Sequence, residues 1–145
     1  MKRLCLWLLT LTLTAACAAT PTNVPTATPA VDLTRTDTQG AVEFAITPLN
    51  LNANAATLEF DVTMNTHSVD VSWDLAAQST LTTDAGLSVV GSQWAIGSGH
   101  HYENTLVFPA QTPDGQALLA NARTLTLTLQ NTDVPERTFV WQLNP

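Results

Sequence analysis

The sequence has few cysteines and few basic residues. Its 145 residues include two cysteines, Cys5 and Cys17, and five basic residues against twelve acidic ones. Both cysteines lie near the start of the chain, so the region that follows them forms no disulfide and offers no thiolate to a metal or a substrate. Because an acidic surface repels phosphate backbones, the composition also argues against nucleic acid as a partner.

The sequence has no apolar run long enough to span a bilayer. Lys2 and Arg3 precede the apolar stretch 4–13, which is shorter than the roughly 20 residues of a transmembrane helix. This order of charge and apolar residues is typical of an export signal. We therefore predict a signal peptide over residues 1–16, and a protein exported to the outer side of the cytoplasmic membrane or to the outer membrane.

The segment that ends at Cys17 resembles a bacterial lipobox. It reads Leu13-Thr14-Ala15-Ala16-Cys17, with small residues before the cysteine and Thr14 where the motif usually has leucine. The resemblance implies cleavage before Cys17, lipidation of its thiol, and the membrane as partner through that lipid. Ordinary secretion with cleavage near Cys17 and an uncleaved signal anchor are the alternatives.

Residues 17–39 are rich in threonine, alanine and proline, and they contain no aromatic residue. Pro21, Pro25 and Pro29 are spaced four apart. A segment of this composition buries too little apolar surface to offset the entropy lost on ordering. We therefore predict that residues 17–39 form an extended tether.

From Gly40 onward apolar and polar residues alternate with period two, which is typical of strands with one buried face. The clearest example is Leu125, Leu127 and Leu129 between threonines. We predict an all-β domain over residues 40–145, an antiparallel two-sheet sandwich of immunoglobulin-like type with about seven strands and no helix beyond a turn or two. A small closed β-barrel is the alternative.

The apolar parity changes after Met64, from even-numbered to odd-numbered positions. A regular strand cannot absorb a one-residue slip, so we predict a bulge or a turn at Asn65–Thr66, followed by a strand that includes Val69, Val71 and Trp73. His67 is the residue that this irregularity redirects.

The chain has three histidines, His67, His100 and His101. Imidazole is the commonest metal ligand, so these side chains with Asp70 form a candidate site for copper or zinc. Neighbouring residues of a strand face opposite ways, and His100 shares the apolar parity of Tyr102. We therefore expect His100 to face the core rim and His101 to face away, and one of the two to join His67. The alternative is that the histidines only support the fold.

Motifs for catalysis are missing from the sequence. Gly97-Ser98-Gly99 lacks the spacing of a nucleophile elbow, and the sequence has no zinc-protease, phosphate-loop or dinucleotide motif. The acidic run 70–74 lacks the spacing of a calcium loop. We predict a non-catalytic binding or structural module that meets a protein partner. Metal handling is the second hypothesis and a hydrolase fragment the weakest.

Four motifs are spread through the domain: T-H-S-V-D at 66–70, G-H-H at 99–101, L-V-F-P at 106–109, and P-E-R with F-V-W at 135–141. Together they resemble a family of small uncharacterised extracytoplasmic domains of prokaryotes. The resemblance implies that these segments belong to one fold but implies no activity. It points to the same candidate residues, His67, Asp70, His100 and His101.

Overall fold

The computed structural model describes residues 32–143, which form two antiparallel four-stranded sheets. The elements are β1 (Arg35–Asp37), β2 (Val42–Asn50), β3 (Thr57–Thr66), α1 (Leu75–Gln78), β4 (Ser79–Thr83), β5 (Ser88–Val90), β6 (His101–Pro109), β7 (Thr124–Thr132) and β8 (Val134–Gln142). One sheet has the order β1-β2-β3-β6 and the other β5-β4-β7-β8. The predicted all-β sandwich is confirmed. The barrel alternative is wrong, because each sheet ends in two edge strands.

The strand order is immunoglobulin-like. The chain changes sheet between β3 and β4, returns between β5 and β6, and changes again between β6 and β7. As a result β3 pairs with β6 and β4 pairs with β7, although neither pair is consecutive in the sequence. The same kind of pairing between non-consecutive strands characterises immunoglobulin-like sandwiches.

The core lies between the inner faces of the two sheets, and period-two patterning places its residues there. In β3 and in the first half of β7 every second residue is buried. Aromatic rings fill the centre. The centroid of the Phe60 ring lies 5.7 Å from the centroid of the Phe108 ring and 5.3 Å from that of the Trp141 ring. The alternation that the sequence shows from Gly40 onward therefore marks the buried faces of β2, β3, β7 and β8, as predicted.

The folded region begins before Gly40, so the predicted boundary at residue 39 is corrected. Residues Arg35–Asp37 form β1 and pair with Ile46, Ala45 and Phe44 of β2. Three polar residues carry no readable alternation, so sequence patterning does not identify such a short edge strand. The backbone pairing and a buried arginine on β8, described below, hold β1 in place.

One predicted strand is also corrected. The chain leaves the sheet after Thr66, so the change of parity marks a turn and residues 69–73 form no strand. Residues 75–83 contain both α1 and strand β4. In the segment that follows, Ser88–Val90 pairs with β4 as β5. The described region therefore has eight strands instead of about seven.

No helix within residues 32–143 is both long and apolar enough to cross a membrane. The predicted signal peptide, Cys17 and the first part of the predicted tether lie outside the described residues.

Candidate functional site

The three histidines lie at one end of the sandwich, where β3 ends and β6 begins. We call this the histidine end. Asn65 of β3 pairs in register with His101, the first residue of β6, and His67 follows one residue after β3 ends. The rings of His67 and His101 meet edge to face, with centroids 6.1 Å apart and an interplanar angle of 81°. The fold therefore brings together His67 and one member of the histidine pair, as predicted.

The His101 ring is held by its strand partner. Its Nδ1 lies 2.9 Å from Oδ1 of Asn65. An amide oxygen only accepts hydrogen bonds, so in this contact Nδ1 is the donor and Nε2 is left to face away from Asn65. A ring held in this way through Nδ1 can offer Nε2 as a ligand or as a hydrogen-bond acceptor.

His100 does not occupy the position that its parity predicts. Its side chain is exposed, and what it contributes to the histidine end is its backbone oxygen, which accepts a 2.9 Å hydrogen bond from Thr66 N. Gly99 has a φ of +94°, so the chain turns there and enters β6 only at His101. The alternation of β6 does not extend back to His100, and the prediction that His100 faces the core rim is wrong for this reason.

Asp70 joins two loops and does not approach the histidine rings as a ligand. Its Oδ1 accepts a 2.6 Å hydrogen bond from Gly99 N, and Val71 N donates to Gly99 O at 3.0 Å. Within residues 32–143 no three or more histidine, cysteine, aspartate or glutamate side chains are grouped so that they could hold a metal ion. The four candidate ligands are therefore close in the fold, but only His67 and His101 face each other.

The glycine-rich stretch before the histidines is required by packing. A Cβ atom on Gly97 would collide with the ring of Tyr102. That ring meets Trp94 edge to face at 5.7 Å, and its hydroxyl donates to Ala95 O at 2.8 Å. Gly97 thus lets the loop lie flat against Tyr102, and no nucleophile elbow is formed.

A second polar cluster, centred on Arg137 of β8, was not identified as a site from the sequence. The side chain is fully buried, pairs with the Asp37 carboxylate, and donates to Gln39 O at 2.6 Å. Its guanidinium carbon lies 4.7 Å from the centre of the Phe44 ring. The sequence does indicate that Arg137 is buried, because it alternates in step with the inward-facing Phe139 and Trp141.

The Arg137 cluster also includes two acidic side chains with different tasks. Asp133 Oδ2 lies 3.7 Å from the guanidinium and accepts a 2.6 Å hydrogen bond from Ala41 N. Burial raises the pKa of Asp37, but hydrogen bonds from Gln39 and the charge of Arg137 outweigh this and hold that pKa below its ordinary value. The cluster therefore fixes the end of β1 to the start of β8.

No protein-family model and no curated protein matches the sequence. Among solved structures, the chain is similar to the crystal structure of MPT63, a secreted protein from Mycobacterium tuberculosis, with 18% identity and a TM-score of 0.43. The match covers 78% of this chain and 92% of that one. At this level of similarity the neighbour adds nothing about function, and the strand pairing alone assigns the fold.

Proposed function

We propose that the protein is a membrane-anchored extracytoplasmic lipoprotein whose β-sandwich is a non-catalytic binding or structural module. The observation that carries this proposal is the order of features in the sequence: a basic start, a short apolar run, the lipobox-like residues 13–17, and then a separate folded region. The lipid on Cys17 holds the sandwich at the outer side of the cytoplasmic membrane or in the outer membrane.

The roles of the polar side chains support a module without catalysis. Asp70 is occupied by a backbone N–H group, and Asp37 with Asp133 surrounds the buried Arg137. No nucleophile with an adjacent base emerges from these contacts. The exposed histidine end and its loops are the surface that the domain offers to a protein partner.

The anchor is tested by mass spectrometry and fractionation of the full chain expressed in bacteria. We expect the mature protein to begin at an acylated Cys17 and to remain with the membrane fraction. Cys17→Ser releases it into the soluble extracytoplasmic fraction, whereas the matched control Cys5→Ser leaves the anchor intact. An unmodified Cys17 in the mature protein overturns the proposal.

A second candidate function is the handling of copper or zinc by His67 and His101. The specific observation that favours it is the hydrogen bond between His101 Nδ1 and Asn65 Oδ1, since metal-binding histidines commonly donate their other N–H to an oxygen. Two imidazoles bound to one tetrahedral zinc would have ring centres roughly 5 Å apart. The observed 6.1 Å therefore requires a small rotation of one ring, and water would complete the coordination.

The metal candidate is tested by calorimetric titration with Cu(II) and with Zn(II). We expect His67→Ala and His101→Ala each to weaken binding at least about tenfold, because each removes one of two protein ligands. His100→Ala is the matched control, since its exposed ring is not part of the pair, and its affinity should equal that of the unaltered protein. Equal binding by all four proteins contradicts a site at this position.

A further inference from the structure

The opposite end of the sandwich contains an open groove of about 750 Å³. We call it the leucine groove. It lies where β2 and β8 end and β7 begins, between the segment before β1, the β2–β3 connection and the segment before β7. Its volume is within the range of small-molecule sites in proteins.

The leucine groove is lined by apolar and polar surface in similar proportion. Four leucines from four separate segments line it, and each is partly buried and packs against the core: Leu33, Leu51, Leu119 and Leu143. Their remaining exposed surface is favourable to cover, because burying apolar area releases water from it. Four leucines in one groove offer a flexible hydrocarbon apolar surface to cover.

Arg123 stands at the edge of the groove with its backbone fixed. Its N–H donates to Asp84 Oδ1 at 2.8 Å, and its carbonyl oxygen accepts from Leu143 N at 2.8 Å. Asp84 Oδ1 also accepts from Thr124 N at 3.0 Å, and these two backbone N–H groups hold the pKa of Asp84 below its ordinary value. The Arg123 guanidinium itself forms no hydrogen bond or ion pair with another side chain among residues 32–143.

The other two arginines of the described region are occupied. Arg35 donates to Val140 O at 3.0 Å and to Thr34 O at 2.9 Å, and Arg137 is enclosed by its own cluster. In a chain with 12 carboxylates, most of the surface repels an anion. Arg123 therefore places a positive charge at the edge of the leucine groove, beside the Asp84 carboxylate, whose pKa that charge also lowers.

The geometry points to a binding site for a single-chain fatty acid in the leucine groove. Its carboxylate pairs with the Arg123 guanidinium in the bidentate manner that arginine favours, with the amide groups of Asn121 and Gln142 alongside. Its hydrocarbon chain covers the four leucines. This inference goes beyond the proposed function and does not depend on the anchor at Cys17, which the mass spectrometry above tests separately.

The test is calorimetric titration of the full chain carrying Cys17→Ser, so that no attached acyl group competes for the groove. The probes are decanoate, decanol and decyltrimethylammonium, which share a chain length and differ in the charge of the head. We expect decanoate to bind one to one, more tightly than decanol, and the cationic probe to bind weakest, because Arg123 attracts the first and repels the last.

Two pairs of variants separate the head from the tail. Arg123→Gln should weaken decanoate about tenfold or more and leave decanol unchanged, as expected for loss of a charge-assisted hydrogen bond. Its matched control is Arg35→Gln, at a half-buried cation that already donates to two backbone oxygens and lies outside the groove lining. Leu51→Ser should weaken both decanoate and decanol about three- to tenfold, whereas Ile96→Ser, at an exposed apolar residue of the histidine end, should change neither. Thermal melts check that each variant is folded.

Several results would overturn the inference. Decanoate that fails to saturate below the concentration at which it forms micelles shows that the groove is not a fatty-acid site. Equal affinity for the anionic and cationic probes removes the role of Arg123. Saturable binding that survives Leu51→Ser but is lost in Ile96→Ser places the ligand at the other end of the sandwich.

Discussion

Two polar clusters lie at the histidine end of the sandwich, and they are built in opposite ways. Arg137 is fully buried and surrounded by partners from β1, from the turn between β7 and β8 and from the core. His67 and His101 are exposed and touch little besides each other and Asn65. Ala41 links the clusters, since its N–H donates to Asp133 and its carbonyl oxygen accepts from Thr66 Oγ1.

The difference separates a residue that holds the fold from residues that are available for binding. A buried charge has lost its water, so each of its protein contacts is needed to offset that loss. An exposed imidazole keeps its water and can exchange it for a ligand at little cost. The predictions that follow test this contrast by changing one residue of the histidine end at a time.

The largest effect is expected for Arg137→Met, which keeps apolar volume but removes the charge. It removes the guanidinium donor from Asp37 and from Gln39 O, and breaking a buried ion pair costs about 3–5 kcal/mol. We expect the free energy of unfolding to fall by that amount in urea denaturation. The control Arg35→Met should cost less than about 1 kcal/mol, because a pair of accessible backbone contacts is lost. Equal losses in the two variants would show that burial of Arg137 is not what makes it important.

The Arg137 cluster shows which parts of a fold are readable from a sequence. The sandwich follows from period-two patterning, since the long strands β3 and β7 show it over many residues. The Arg137 cluster does not follow from this patterning. Arg137 lies at an inward position of β8, but its partner Asp37 is 100 positions earlier in the sequence, on a three-residue strand. Nothing local in either segment encodes that pairing.

The sequence predicts the histidine end only in part, and the reason is related. The rule that alternate residues face the same side holds only inside a strand. His100 lies between the turn at Gly99 and the start of β6, so the rule does not apply to it. The meeting of His67 with His101 depends on the register of β3 against β6, in which Asn65 faces His101. Which strands pair, and in what register, is fixed by the packing of the whole core and not by the residues near the histidines.

A smaller effect is expected for Asp37→Asn, with a dependence on pH. The pKa of Asp37 is lowered in the folded protein, so its ionised form contributes stability above the unfolded value of about 3.9, and that contribution is lost as the pH falls through the folded value. At pH 7 we expect Asp37→Asn to lose about 1–3 kcal/mol. The difference in Tm between the two proteins should shrink steadily below about pH 4. A difference that grows on acidification would contradict the assigned role of Asp37.

Next in size is Asp70→Ala, which removes the acceptor for Gly99 N. The hydrogen bond is charge-assisted but exposed, so we expect a loss of about 0.5–1.5 kcal/mol in the free energy of unfolding. Glu103→Ala, an exposed acidic residue of β6, is the matched control and should lie within about 0.5 kcal/mol of the unaltered protein. If Asp70→Ala leaves stability unchanged, and hydrogen exchange at Gly99 is not faster, the carboxylate does not fix this loop.

The smallest effect on stability is expected for the histidines themselves. His100→Ala removes an exposed ring whose backbone makes the contact, so the free energy of unfolding should change by less than about 0.5 kcal/mol. His101→Ala loses the hydrogen bond to Asn65 and should cost about 0.5–1 kcal/mol. Both values are far below that of Arg137→Met at the same end of the fold. A loss above about 2 kcal/mol for either histidine would instead place it among the residues that hold the fold, because no exposed side chain with at most one hydrogen bond contributes so much.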